Sequence, residues 1–351
     1  MKSTNSPRRY RRLLGLVAAP VAAALLFSGC SSGGSEPSGD DSGAPLTDVT
    51  MLLNWLPIGE HAPLYYGVEL GIFEKHGINL TIQSGSGSTK TIQAVGQGQA
   101  DFGWADTALL AANIDKGVRA KSLGVYLQQS PAAVQVWEDS DITKPEDIAG
   151  HTIAVSAGDG PTVMFPYYLD AIGVDQSSVT QQNLDAAGKI SAVLSGQADG
   201  MIGFASDAGP TLEEQGGKKL RYFYYRDAGL TWYSNGLITG DDMIADHPDT
   251  VQAMVDAVSE SFAAAVEDPE AAAASTTGKD PGFQSPEVVL SQWKQTIDFL
   301  HTDRTADDAP GVNTPEDWQD SLDLLAKVGL IESAGDVTKY YDGSFADNVG
   351  K

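Results

Sequence analysis

Two stretches of this chain follow one pattern. VGQGQADFGWAD (95–106) and LSGQADGMIGFASD (194–207) each read as a helix end, a Gly-Gln-Ala-Asp step and a short apolar strand, closed by small residues and an aspartate. Around the first, Val49–Leu53 and Ile78–Ile82 have strand character, and helical patterns cover Ala62–Glu74, Lys90–Gly96 and Thr107–Lys116. Around the second, strands are expected at Thr152–Val155 and Val179–Gln182, with helices at Thr162–Ile172 and Ala187–Leu194. Strand and helix in alternation predict parallel sheets covered on both faces. Because the rhythm occurs twice, two α/β units are expected. From Asp241 onward the chain reads as helical, with Pro248 and Pro315 near helix starts, where proline is tolerated.

Two such units followed by a helical third suggest two lobes with a cleft between them. Lobe 1 is expected at residues 47–135 and 238–351, and lobe 2 at 136–237. The crossovers are placed near Ala133–Glu138 and Trp232–Thr239. In open α/β sheets, ligands sit beyond the carboxyl ends of the strands. The candidate contacts are therefore the turns Asn54–His61, Gly85–Ser88, Trp104–Asp106, Ser156–Pro161 and Phe204–Asp207, with Trp232–Asn235 on a crossover.

The first residues carry a different message. Arg8, Arg9, Arg11 and Arg12 precede an apolar run, Leu13–Phe27, of signal-peptide length and too short to span a bilayer comfortably. Phe27-Ser28-Gly29-Cys30 resembles a bacterial lipobox, with Phe where Leu is usual, and Cys30 is the only cysteine. Residues 1–29 are read as a signal peptide. Residues 30–46 are read as a lipidated Gly/Ser/Asp/Pro tether with no core to build. The protein is thus expected on the outer face of the cell membrane. The arginines leave Sec and twin-arginine export both open. Removing residues 1–29 takes away five positive charges and no acid, which moves the formal charge from −25 to −30. That surface argues against nucleic acid as a partner. With Cys30 lipidated, no thiol remains for a disulfide or a metal, and the five histidines are scattered. No metal or other cofactor is expected.

At the turns a family pattern stands out: Trp55-x-Pro57-x-x-x-His61, Tyr65, Gly71-x-Phe73, Gly77, Gly85-x-Gly87-Ser88 and Ala100-Asp101-Phe102-Gly103. IAGHTIAVSAGDGPTVMFPYYLDAIGVD and SGQADGMIGF continue it in the second unit. Over about residues 47–300 the chain resembles the solute-binding proteins of the sulfonate-binding and thiamine-pyrimidine superfamily, which serve ABC importers and whose relatives include a pyrimidine synthase. The resemblance implies a type II periplasmic-binding-protein-like α/β fold, two lobes joined by crossover strands. It also implies a monomer that takes a small organic ligand and docks on the permease subunits of an ABC transporter.

The residues at the turns suggest what the ligand is. Ser86 and Ser88, in the Gly-rich loop at a helix start, offer hydroxyls and approachable backbone N–H groups, with Ser88 or Thr89 as the cap. In the sulfonate- and nitrate-binding relatives this helix N-terminus helps hold the anion. Ser156 and Asp159 offer a similar loop from the other unit. Trp55 suits stacking on an aromatic heterocycle, as do Trp104, Trp232 and Phe204. Asp106 and Asp207 can accept from a ring N–H or cap a helix, and Asn54 and Asn235 can hydrogen-bond the ligand. Of Tyr65 and Tyr66, one must face inward; Tyr65 is the candidate. His61 fills the slot of a histidine that the pyrimidine synthases consume, and is read here as a hydrogen-bonding or stacking group. Ile58 stands where pyrimidine binders usually show Asn, with Glu60 beside His61. No cation is evident at these turns except Lys90. The expected ligand is a thiamine pyrimidine precursor or a similar aromatic heterocycle such as riboflavin, with a sulfonate, taurine or nitrate as the alternative. A pyrimidine-synthase-like enzyme is the rival class. Because the cysteine-rich segment of such enzymes is missing, the chain is expected to be a binding protein and no enzyme.

Overall fold

The computed structural model describes residues 45–346 together with residue 349. The signal peptide, Cys30 and nearly all of the tether lie outside the described residues. Among the described residues, ten strands form two sheets: β1 (Thr47–Leu52), β2 (Ile78–Gln83), β3 (Phe102–Asp106), β4 (Ala120–Val125), β5 (Ala132–Trp137), β6 (Thr152–Val155), β7 (Thr180–Asn183), β8 (Gly200–Phe204), β9 (Leu220–Tyr224) and β10 (Asn235–Gly240). Their orders are β2-β1-β3-β10-β4 and β7-β6-β8-β5-β9. The two orders are equivalent position by position, and the similar segments supply the same central strand in each sheet, β3 and β8. Every residue of both strands is buried, as both-face coverage requires.

The sheets are mixed, not parallel throughout as the alternation predicted. β1 pairs in parallel with β2 and β3, and β6 with β7 and β8. β10, however, runs antiparallel to β3 and β4, and β5 antiparallel to β8 and β9. The cause is connectivity. β10 enters the first sheet on the chain's return from the second, and β5 enters the second straight from the first. The chain changes sheets over residues 126–131 and 225–234. The first change thus lies ahead of the lobe boundary expected at 135/136, which would fall within β5.

The helix expected over Ala62–Glu74 is interrupted. It runs Ala62–Glu69 and resumes at Ile72–Lys75, because Gly71 takes a left-handed conformation (φ 70°) that breaks the hydrogen-bond ladder. The C-terminal helices Pro248–Glu267, Pro269–Ser275, Pro286–Ile297 and Pro315–Lys327 each begin at proline. There the missing N–H costs nothing. The helix Pro248–Glu267 sends Phe262 onto Trp104 of β3 (ring centroids 5.3 Å), and Phe262 in turn meets Trp293 edge-on (5.7 Å). This aromatic core backs the first sheet just behind the turns that form the cleft.

Candidate functional site

The strand ends of both sheets converge on one cavity of about 50 Å³. That is well below the volume of a small-molecule site, so an organic ligand requires the two halves to part. From the first sheet come Asn54, Trp55, Ile58 and Glu60 after β1, Ser88 at the start of the helix Ser88–Gly96, Asp106 ending β3 and Asn235 opening β10. From the second come Asp159, Gly160 and Pro161 after β6, Lys189 on the helix Ala186–Leu194, and Gly203, Phe204 and Asp207 around the end of β8. The two halves touch across this space. A Cβ on Gly160 would lie 2.8 Å from the Asp106 carboxyl, so only glycine lets the loop from the second sheet approach that closely. Gln292 bridges the halves from the side. Its Oε1 accepts from Gly59 N (2.8 Å), and its Nε2 donates to Asp207 O (2.7 Å).

The cavity is acidic. Glu60, Asp106, Asp159 and Asp207 face one cation, Lys189. The Lys189 ammonium donates to Ile202 O (2.8 Å), lies 3.6 Å from Asp159 and sits 5.8 Å from the Trp55 ring centroid. Its charge is therefore already engaged. The Oε1 of Glu60 accepts from Trp104 Nε1 and from Asn235 Nδ2, each at 2.6 Å. Burial nevertheless pushes the Glu60 carboxyl up to about 7, against those two donors, and the nearby Asp207 and Asp106 add to the rise. Burial likewise raises Asp106 to about 6, although Ala108 N and Leu109 N bond its Oδ1 and Trp232 Nε1 and Ser234 Oγ bond its Oδ2. Asp207 is raised to about 6 by burial, with Lys189 opposing the rise and Asp159 reinforcing it. The Oδ1 of Asn235 is buried without a hydrogen-bond partner among the described residues.

Of the residues expected to contact ligand, Asn54, Trp55, Ser88, Asp106, Asp159, Phe204, Asp207 and Asn235 line this cavity. Ser86 and Ser156 line a wider neighbouring cleft with Trp55, Lys90 and Asn183. The others stand behind the wall. Trp104 and Trp232 are core residues whose indole N–H groups hold Glu60 and Asp106. Tyr65 packs edge-on against Phe283 (4.9 Å). His61 is fully buried. Its Nδ1 accepts from Ile58 N (3.2 Å), which leaves Nε2 to donate to Asn54 Oδ1 (3.0 Å). Burial holds it neutral, with a pKa near 3, so it fixes the turn and orients Asn54. Neither Ser88 nor Thr89 caps the helix in the way expected. Gly87 occupies the cap, and the Ser88 hydroxyl accepts from Asp106 N (3.1 Å). Asp106 and Asp159 cap the helices that follow them, Thr107–Asp115 and Gly160–Ala171. Two charged lining residues were not singled out as contacts. Glu60 was visible only as a departure from a motif. Lys189 lies a full turn into its helix, where a search of strand-end turns does not look, so Lys90 is not the cation of this cavity.

The family profile described as NMT1/THI5 like matches residues 58–272, more than half of the chain. The chain belongs to this family. A curated relative, the 4-amino-5-hydroxymethyl-2-methylpyrimidine phosphate synthase of Legionella pneumophila, is 22% identical over 299 residues, covering 85% of this chain and 92% of its own. The riboflavin-binding protein RibY of Chloroflexus aurantiacus is 22% identical over 338 residues, covering 92% and 94%. Among solved structures, the alkanesulfonate-binding protein SsuA from Xanthomonas axonopodis pv. citri superposes with a TM-score of 0.66 at 15% identity, covering 86% of this chain and all of that one. The fold of this NMT1/THI5-like chain is the periplasmic binding protein fold. The expectation that the chain is no enzyme is corrected by these relatives. Synthases of the same name from two fungi match as well, so enzymes stand beside binding proteins among its curated relatives.

Proposed function

We propose that this protein is an extracytoplasmic solute-binding protein of an ABC importer, lipid-anchored through Cys30, whose two lobes close on a flat nitrogen heterocycle of the thiamine-pyrimidine-precursor type. Each lobe is built on one sheet, and the closed form docks on the membrane permease. The observation that carries the ligand reading is the wall of the cavity. The Trp55 and Phe204 rings offer apolar faces, while the charged groups are four carboxylates against one ammonium that is already paired. Flat rings suit the first, and ring or exocyclic N–H donors suit the second. A sulfonate or nitrate would meet like charge on most sides, which costs affinity in a buried site.

Thermal-shift titration with 4-amino-5-hydroxymethyl-2-methylpyrimidine, riboflavin and taurine tests the reading. Stabilisation by one of the two heterocycles is expected, since a ligand that binds only the folded state raises its midpoint. Stabilisation by taurine alone would overturn it. The anchoring rests on the apolar run that ends at Cys30. Cys30→Ala should release the protein into the medium or leave an uncleaved precursor. A processed mutant that stayed on the membrane would refute the lipid anchor.

A further inference from the structure

Glu60 and Asn235 form an acceptor pair in the cavity wall, fixed before any ligand arrives. Both are buried, at 2% and 0% exposure. The Asn235 Nδ2 donates to Glu60 Oε1, and Trp104 Nε1 locks the same oxygen from behind. One oxygen remains on each group. Among the described residues Asn235 Oδ1 has no partner, and no hydrogen bond engages Glu60 Oε2. A buried acceptor left unpaired costs about 1–3 kcal/mol, so a ligand that supplies a donor here recovers that loss.

The other charged groups facing this pair narrow the choice. Both oxygens of Asp106 are occupied by backbone N–H groups, Trp232 and Ser234. Asp159 caps its helix through Oδ1 and meets Lys189 through Oδ2. The Asp207 side chain makes no hydrogen bond among the described residues, although its position is the helix N-cap. The free charged groups of the cavity are thus carboxylates. The free donors are neutral, chiefly the Asn54 amide and the Ser88 hydroxyl.

We propose that Glu60 and Asn235 are the specificity-determining pair of the cleft, selecting a ring that presents an amino group beside a protonated ring nitrogen, an amidinium edge, over neutral or anionic rings of the same size. Such an edge carries two N–H donors side by side and a shared positive charge. It meets the two free oxygens with two hydrogen bonds and balances the surplus negative charge. No bond is made or broken. This rests on the heterocycle-binding reading above and deepens it.

Calorimetric titration of the processed protein at pH 7 with 4-amino-2-methylpyrimidine and with 2-methylpyrimidin-4-one isolates the edge, because the two rings match in size. The amino compound should bind at least about tenfold tighter. Glu60→Gln keeps the shape and one acceptor but removes the charge, and should shrink that ratio to within about twofold. Urea unfolding confirms that the variant is folded. Equal affinities in the parent protein would overturn the inference and leave the heterocycle reading standing. A ratio unchanged by Glu60→Gln would overturn the assignment to this pair. Failure of both rings to bind would overturn the reading and the inference together.

Discussion

Glu60→Gln should make the empty protein more stable while weakening its function. The ionised Glu60 carboxylate is disfavoured in the fold, since burial lifts its pKa from 4.5 to about 7 despite two hydrogen bonds. Between those two pH values the folded chain holds a proton there that the unfolded chain has released. Stability therefore falls as pH rises through this window and is flat above it. At about 1.4 kcal/mol per pH unit, the full loss is about 3 kcal/mol. Glutamine does not titrate. It keeps an oxygen for Trp104 and Asn235. The variant should match its parent near pH 4.5 and exceed it by up to about 3 kcal/mol at pH 8.

The difference between the two proteins is diagnostic where the parent's own pH profile is not. Asp106 and Asp207, raised to about 6, also favour low pH in both proteins. His61, lowered to about 3, does the reverse. Its stabilising contribution is complete above 6.5 and is lost as pH falls, because the unfolded chain then takes up a proton that the buried ring cannot. These contributions largely cancel in the comparison. Urea unfolding followed by tryptophan fluorescence at pH 5, 6, 7 and 8 measures it. A variant less stable than its parent at pH 8, or one with the same margin at pH 5 and pH 8, would refute the reasoning.

Other perturbations follow from the same geometry. Trp55→Ala should weaken heterocycle binding by about 1–3 kcal/mol, or tenfold to hundredfold in titration calorimetry, and Trp55→Phe should recover much of it. Gly160→Ala would place a methyl group 2.8 Å from the Asp106 carboxyl. It should hold the cleft ajar, enlarging the liganded radius of gyration in small-angle scattering and lowering affinity, with little change in the unfolding of the empty protein. Gln292→Ala removes the bridge between Gly59 and Asp207 and should speed ligand release in stopped-flow fluorescence. An unchanged off-rate would show that the bridge does not restrain opening.

The internal repeat of Gly-Gln-Ala-Asp before an apolar strand carried much of the fold, because β3 and β8 occupy the same place in equivalent sheets. The antiparallel strands were not legible as such. Nothing within residues 235–240 records that they return to a sheet laid down more than a hundred residues earlier. The site was legible where ligand groups stand on strand ends, as with Asn54, Trp55, Asp106, Phe204 and Asn235. It was illegible where function depends on reach. Lys189 enters from within a helix, and Glu60 sits on the short turn Gly59–His61, whose direction is set by contact with the helix Pro286–Ile297. Aromatic character alone misled for Trp104 and Trp232. Both are large, buried rings whose polar atoms orient the carboxylates that face the cavity.

The central claim is that a flat nitrogen heterocycle occupies the cavity between the two sheets. A crystal structure of the processed protein grown with 4-amino-5-hydroxymethyl-2-methylpyrimidine tests it most directly. The ring should lie between Trp55 and Phe204, with N–H groups hydrogen-bonded to Glu60 and Asn235. A ring held instead in the outer cleft by Ser86, Lys90 and Ser156, with no contact to Glu60, would contradict it.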